Sequence, residues 1–240
     1  MKSGVCMNKK TLFFDLFYTL IKPQFSTHNE FDVLGLSKEK WNEIAEDEQL
    51  YYERAVGIEK NPLIIIEKIL KKANLNYSDE DLIKILELRE ERFKRAVQNV
   101  ESVVLKLLEE LKKMGYRMVI ISNADVINIQ YFSSSPLIKF FDEVIFSCDV
   151  GCVKPESKIY SLGLETLELS PEEVIFIGDG GCNELEGAKK LGMTTIFFNY
   201  FAQLREDEAL ERRKFSDYSA QECEELLNIL KMEKLVDKTI

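Results

Sequence analysis

Nowhere in this chain do about 18 consecutive apolar residues occur, which excludes a hydrophobic membrane-spanning helix. Internal repeats and low-complexity tracts are missing too, so the sequence is not a repeat array. Paired cysteine spacing of the kind that builds a zinc site is absent. The five cysteines, Cys6, Cys148, Cys152, Cys182 and Cys223, are odd in number and point to a reduced, cytoplasmic protein. Positive charge is scarce: 32 Lys and Arg face 42 Asp and Glu, for a net charge of -10. That balance argues against nucleic acid or an anionic membrane as a partner held by bulk attraction. An anionic ligand must be drawn in locally. The one histidine, His28, reads as a surface or packing residue.

What is present suffices for a globular protein. A length of 240 residues, 45% of them apolar, fills one α/β core and a smaller accessory unit. The N-terminus, with Lys2 and Lys9-Lys10 ahead of an apolar run from Leu12 to Ile21, superficially imitates a secretory signal. Asp15 interrupts that run and no small-residue cleavage site follows, so the segment reads as the first core strand.

Asp15 is the most telling residue of that strand. Leu12, Phe13 and Phe14 read as a buried parallel strand, and a carboxylate stands where it gives out. Ligands of open α/β sheets bind just beyond such strand ends. Three further elements follow in order. Val119-Ile120-Ile121 is an apolar strand ending in Ser122 and Asn123, a hydroxyl and an amide that can bind an oxyanion without adding negative charge. Lys154-Pro155 sets an ammonium in a turn before a helix. Val174 to Ile177 leads into Gly178-Asp179 and, after a tight glycine turn, Asn183-Glu184. Each alone is ordinary turn chemistry. Their order on alternating strands and helices is not.

Hydrophobic period sets the organisation. Residues 23–98 are helical and heavily charged, with Leu63, Ile66 and Leu70 on one stripe and Leu82, Leu86, Phe93 and Val97 on another. Val100, Val104, Leu107, Leu111 and Met114 then form a helix face closed by Gly115, and Met118 to Ile121 is the next strand. Strands near 143–147, 174–178 and 194–197 alternate with helices near 155–165 and 184–191, and a helix carrying Cys223, Leu226, Leu227 and Leu230 closes the chain. That rhythm predicts an α/β fold with a Rossmann-like, doubly wound parallel sheet and helices on both faces.

The ordered set resembles the haloacid dehalogenase-like hydrolase superfamily, with Phe-Asp-Leu-Phe-Tyr-Thr-Leu as its first motif, Ser122-Asn123 as the second, Lys154-Pro155 as the third and Gly-Asp with Asn183-Glu184 as the fourth. The resemblance implies a catalytic core of residues 1–22 and 99–240 and an all-helical cap at 23–98. Two departures stand out. Phe17 replaces the second aspartate usual in the phosphatases, and Glu184 stands where aspartate is usual.

Asp15, Asp179 and Glu184 brought to one edge repel one another, so the cluster needs a cation and Lys154 to offset it. Magnesium suits such oxygen donors. By resemblance, Asp15 is the nucleophile and binds Mg2+ with Asp179 and the backbone carbonyl of Phe17, while Glu184 orients the ion. Lys154 stabilises charge and, with Ser122 and Asn123, binds the phosphoryl group of a small phosphorylated molecule. The implied activity is a phosphatase working through an aspartyl-phosphate. Phe17 keeps two alternatives open: a 2-haloacid dehalogenase, whose family members carry an aromatic there, and a phosphate-binding protein with weakened catalysis. Trp41, Tyr51, Tyr52 and Arg54 are candidates for selectivity, with Arg54 favoured as an ordinary helix residue. The charge runs Arg89 to Arg95 and Arg205 to Lys214 read as solvated helix faces.

Overall fold

The computed structural model describes residues 11–202 and 204–236. Lys2, Cys6, Lys9 and Lys10, with the outer ends of the expected core segment, lie outside them. Among the described residues, six strands form one parallel sheet: β1 (Thr11–Phe14), β2 (Arg117–Ser122), β3 (Glu143–Phe146), β4 (Val174–Gly178), β5 (Thr194–Phe198) and β6 (Tyr218–Ala220). Their order is β3-β2-β1-β4-β5-β6, with β1 pairing β2 on one side and β4 on the other. The chain winds outward both ways from β1, so the crevice beyond β1 and β4 is the topological switch point. β6 is short and polar, with Tyr218 and Ser219 exposed, and no apolar run announces it.

Both sheet faces are buried, as a parallel sheet requires. Leu12 and Phe14 of β1 face a cluster shared with Val104, Leu107, Leu108 and Leu111 of α5 (Ser102–Lys113) and Leu226 and Leu230 of α11 (Cys223–Val236). Phe13, between them, faces Ile159, Tyr160 and Leu164 of α8 (Ser157–Leu167) and Leu185 and Ala188 of α9 (Glu184–Lys190). The two-residue strand period thus assigns alternate side chains of β1 to opposite layers.

Between β1 and α5 the chain is helical: α1 (Lys38–Ala45), α2 (Glu48–Ala55), α3 (Pro62–Lys72) and α4 (Asp79–Gln98). Ser37, Asp47, Asn61 and Ser78 cap these helices, each accepting a backbone N–H. They enclose their own core of Trp41, Ala45, Ile65, Ile66, Ile69, Leu70, Ile85 and Phe93. The expected stripe on α3 is displaced: Leu63 is exposed, and Ile65 and Ile69 join Ile66 and Leu70 inside. The remaining short helices are α6 (Val126–Ile129), α7 (Ser147–Val150) and α10 (Glu206–Arg212). No described helix is long and apolar enough to cross a membrane.

The charge runs are the main correction. Arg89 and Arg92 of α4 are buried, not solvated. Arg92 pairs with buried Glu30 at 2.8 Å, and both guanidinium groups lie over the Phe93 ring. Arg54 is buried as well; its Nε donates to Asp125 Oδ2 at 3.0 Å and its Nη2 to Glu46 Oε2 at 2.8 Å. Asp125 lies just past β2, so Arg54 and Arg89, which approaches the same oxygen at 3.5 Å, tie the helical insert to the sheet edge. Trp41 is wholly internal to the insert. His28 is exposed, 3.9 Å from Asp32.

Candidate active site

Asp15 follows β1 directly, and its N–H donates to Ile177 O at 2.9 Å, extending the pairing with β4 by one residue. The backbone then turns: Tyr18 takes a left-handed φ of 65° and donates to Ile21 O, folding residues 17–21 back as a short loop. This turn brings Thr19 under the site. Its hydroxyl donates to Asp15 Oδ2 at 2.9 Å and accepts from Asp179 N at 3.1 Å, linking the two strand ends.

On the neighbouring strand, β4 ends in Gly178. A Cβ there would sit 2.1 Å from Glu184 Oε1, so only glycine lets the carboxylate approach. Glu184 Oε1 accepts from Gly180 N at 3.0 Å, and Oε2 accepts from Lys154 Nζ at 2.5 Å. Lys154 Nζ also donates to Asp15 Oδ1 at 2.5 Å. Asp15, Asp179 and Glu184, all buried, therefore converge, with one carboxylate oxygen of each within 4.8 Å of the others.

Electrostatics follow from burial. Desolvation alone would push the Lys154 ammonium down, but Asp15 and Glu184 outweigh it and its pKa is raised. Burial, reinforced by Asp15, pushes the Glu184 carboxyl well above the usual range against the pull of Lys154. Asp179 is raised for the same two reasons, opposed by Arg212. Three carboxylates against Lys154 and Arg212 leave the site one negative charge if all five are ionised. Hard oxygen donors at this spacing, with charge to spare, fit a magnesium ion.

Asn123 and Ser122 take different places. The Asn123 side chain clasps the backbone of Lys154, accepting from its N–H at 2.7 Å and donating to its C=O at 3.0 Å. It is a support for the lysine. Ser122 is buried at the end of β2, and its Oγ has no hydrogen-bond partner among the described residues, a hydroxyl free for a ligand oxygen. The Phe17 ring packs edge-on against Phe93 of the insert.

Several contributors carry no sequence signature. Arg212 lies in a run read as solvated, yet its Nη1 donates to Asp179 Oδ2 at 2.6 Å. Tyr51, a selectivity candidate on α2, reaches within 3.8 Å of Cys182 Sγ, and loss of hydration beside the protein raises the pKa of both groups. Cys182 is exposed, with φ 51°, whereas Cys152 is buried in the α8 and α9 layer. Tyr52 points outward.

The fold and site are those of a hydrolase family: residues 9–192 match the haloacid dehalogenase-like hydrolases, and the chain belongs to that family. Among curated relatives it is 35% identical over 136 residues to the glyceraldehyde 3-phosphate phosphatase of Pyrococcus furiosus, a match covering 56% of each chain. The phosphatase of that name from Methanocaldococcus jannaschii is 29% identical over 188 residues, 70% of this chain and 78% of that one. Rat bifunctional epoxide hydrolase 2 is 35% identical over 128 residues, 51% of this chain but 23% of that longer protein. The chain thus spans little more than half of the Pyrococcus relative and a quarter or less of the rat one. Solved structures share the fold. The L-2-haloacid dehalogenase of Xanthobacter autotrophicus with covalently bound chloropropionic acid superposes with a TM-score of 0.64 at 18% identity, covering 93% of this chain and 98% of that one. A HAD-family enzyme of Bacteroides thetaiotaomicron in complex with magnesium and inorganic phosphate gives 0.58 at 20% identity, covering 78% and 92%.

Proposed function

We propose that this protein is a magnesium-dependent phosphatase that hydrolyses a small phosphorylated metabolite through an aspartyl-phosphate on Asp15. The observation that carries this reading is the convergence of Asp15, Asp179 and Glu184 around Lys154 beyond the switch-point strands. A metal-free hydrolase has no evident need for the second and third carboxylates. Asp15, Asp179 and the Phe17 carbonyl would hold Mg2+, with Glu184 oriented behind them by Gly180 and Lys154. The ion would supply charge neutralisation for the equatorial phosphoryl oxygens.

The protein's own groups do the rest. Asp15 attacks phosphorus while its other oxygen is held by Thr19, and the P–O bond to the substrate alcohol breaks. Lys154 and the free Ser122 hydroxyl bind the transferring oxygens, and Asn123 fixes the lysine backbone. The departing alkoxide takes its proton from solvent, since Phe17 offers none. Water then attacks phosphorus, releasing inorganic phosphate and restoring Asp15. Residues 1–22 and 99–240 serve as the core and 23–98 as a helical cap, with Tyr51 reaching from the cap to Cys182. A triose phosphate is the first substrate to test, because the Pyrococcus and Methanocaldococcus relatives are named glyceraldehyde 3-phosphate phosphatases. The family's dehalogenase chemistry is the second reading, favoured by one feature, the aromatic ring at position 17. Cytoplasmic location completes the proposal.

The test pairs glyceraldehyde 3-phosphate and an aryl phosphate with 2-chloropropionate, each with Mg2+ and with chelator, on the wild type and Asp15→Asn. Magnesium-dependent phosphate release, lost in the variant, is expected. Chelator-insensitive chloride release overturns the proposal in favour of the second reading.

A further inference from the structure

Arg212 is the last residue of α10, and its guanidinium is held at both ends. Nη1 donates to Asp179 Oδ2 at 2.6 Å, and Nη2 donates to Glu208 Oε1, one turn back on the same helix, at 2.8 Å. The loop beside it leaves room for this approach. A Cβ at Gly180 would come within 2.8 Å of Arg212 Cβ, so glycine at that position lets the helix end close on the site. The opposite oxygen of Asp179 is occupied by the Gly181 N–H at 3.1 Å. A residue in a nominally solvated charge run is thereby delivered to a carboxylate of the proposed metal cluster.

The consequence is electrostatic. With Arg212 in place, the carboxylate cluster carries one uncompensated negative charge; without it, two. A divalent ion takes the first state to one positive charge and the second to neutrality. Arg212 thus repels the cation and attracts a phosphoryl dianion, whether or not the other is bound. We propose that Arg212 is a positioning residue that weakens divalent-cation binding at Asp15 and Asp179 and strengthens phosphate binding beside them. This rests on the magnesium reading of the site. It adds a residue from outside the four motifs, one that sets cation affinity against anion affinity.

Calorimetric titration of the whole protein with MgCl2 alone, and with inorganic phosphate at saturating Mg2+, tests it on the wild type, Arg212→Gln and Glu208→Gln. Arg212→Gln is expected to bind Mg2+ alone on the order of tenfold more tightly, and to bind phosphate to the Mg2+-loaded protein on the order of tenfold more weakly. A purely structural role predicts the opposite for Mg2+, since a loosened loop binds it more weakly. Glu208→Gln releases the guanidinium from its competing carboxylate and is expected to weaken Mg2+ binding about twofold or more. That half-exposed position keeps the test decisive if Arg212→Gln folds poorly. Unchanged or weaker Mg2+ binding by Arg212→Gln, or unchanged or tighter Mg2+ binding by Glu208→Gln, overturns the proposal while leaving the metal site intact. If neither wild type nor Arg212→Gln takes up Mg2+, and Asp179→Asn behaves like them, the metal reading itself fails and this inference with it.

Discussion

Phe17 stacks edge-on against Phe93 of α4, with ring centroids 5.5 Å apart and planes at 85°. The residue that replaces an acid in the first motif is therefore a packing link between the Asp15 loop and the helical insert. Edge-to-face pairs of this kind add about 0.5–1.5 kcal/mol beyond the area they bury. What the site loses in proton transfer, the insert gains in attachment.

Phe17→Asp separates these two effects. A carboxyl two residues past the nucleophile can protonate the leaving alkoxide, and such general acids contribute on the order of 100- to 10,000-fold. The variant is expected to raise kcat on an unactivated phosphate ester by at least about tenfold. It is also expected to lose about 2 kcal/mol of stability, because a half-buried ring is removed. Phosphate-release kinetics and urea unfolding measure the two separately. A flat or lower kcat in folded protein would contradict this account of position 17.

Asn123 offers a second handle on the chemistry. Its amide holds the backbone of Lys154 from both sides, while the lysine side chain contacts Asp15 and Glu184. Asn123→Ala frees that backbone, and small misplacements of a positioned group cost as much as about 100-fold in rate. The expected outcome is a fall in kcat of about 10- to 100-fold with KM changed less than threefold or so. Steady-state kinetics decide between this and direct substrate binding by the amide, which would raise KM as well.

Much of this arrangement is legible in the sequence. Strands such as Val174 to Ile177, buried on both faces, stand out as unbroken apolar runs, and each ends in a polar residue that chemistry uses. Asp15 and Asp179 are legible for that reason, and Lys154 and Glu184 from the Lys-Pro turn and the glycine turn that precede the next helices. Arg212 and Arg89 are not, because a charge run has no periodic signal that separates a buried guanidinium from a solvated one. Their partners, Asp179 and Asp125, lie 33 and 36 residues away. Such pairs become visible once the fold closes. β6 is hidden for a different reason: Tyr218 and Ser219 face water, so an edge strand of three residues shows no apolar run.

The link between insert and core yields a prediction about stability. Asp125 receives Arg54 at 3.0 Å and Arg89 at 3.5 Å, all three residues being buried. Its other oxygen accepts from Asn128 N at 3.0 Å and caps α6. Asp125→Ala takes this carboxylate from the buried Arg89, leaves Arg54 with Glu46 alone and removes the cap. A loss of about 3–5 kcal/mol is expected, the usual cost of breaking a buried ion pair by removing one partner. Replacing Lys113, whose partners Glu109 and Glu110 are exposed, is expected to cost about 0–1 kcal/mol in the same denaturant titration.

Asp217, just before β6, gives the pH dependence. Its Oδ2 accepts from Thr195 N at 2.9 Å and Thr195 Oγ1 at 3.1 Å, and Oδ1 pairs with Lys189. Burial would raise its pKa, but Lys189 and the Thr195 donors outweigh that and hold the carboxyl below the usual range. Because the folded value lies below the unfolded one, the unfolded chain binds more protons between the two, and this contribution to stability grows with pH. It is complete above the unfolded pKa, about 3.9, and is lost as pH falls through the folded value. Asp217→Asn is therefore expected to cost about 1–2 kcal/mol near pH 7, the worth of a hydrogen bond to a charged group at a half-exposed site. The gap between variant and wild type narrows as pH drops below about 4 and closes once the wild-type carboxyl is protonated. Urea unfolding at a series of pH values reads this directly. A gap that stays constant down to pH values well below about 4 would show that Asp217 acts through shape and not through charge.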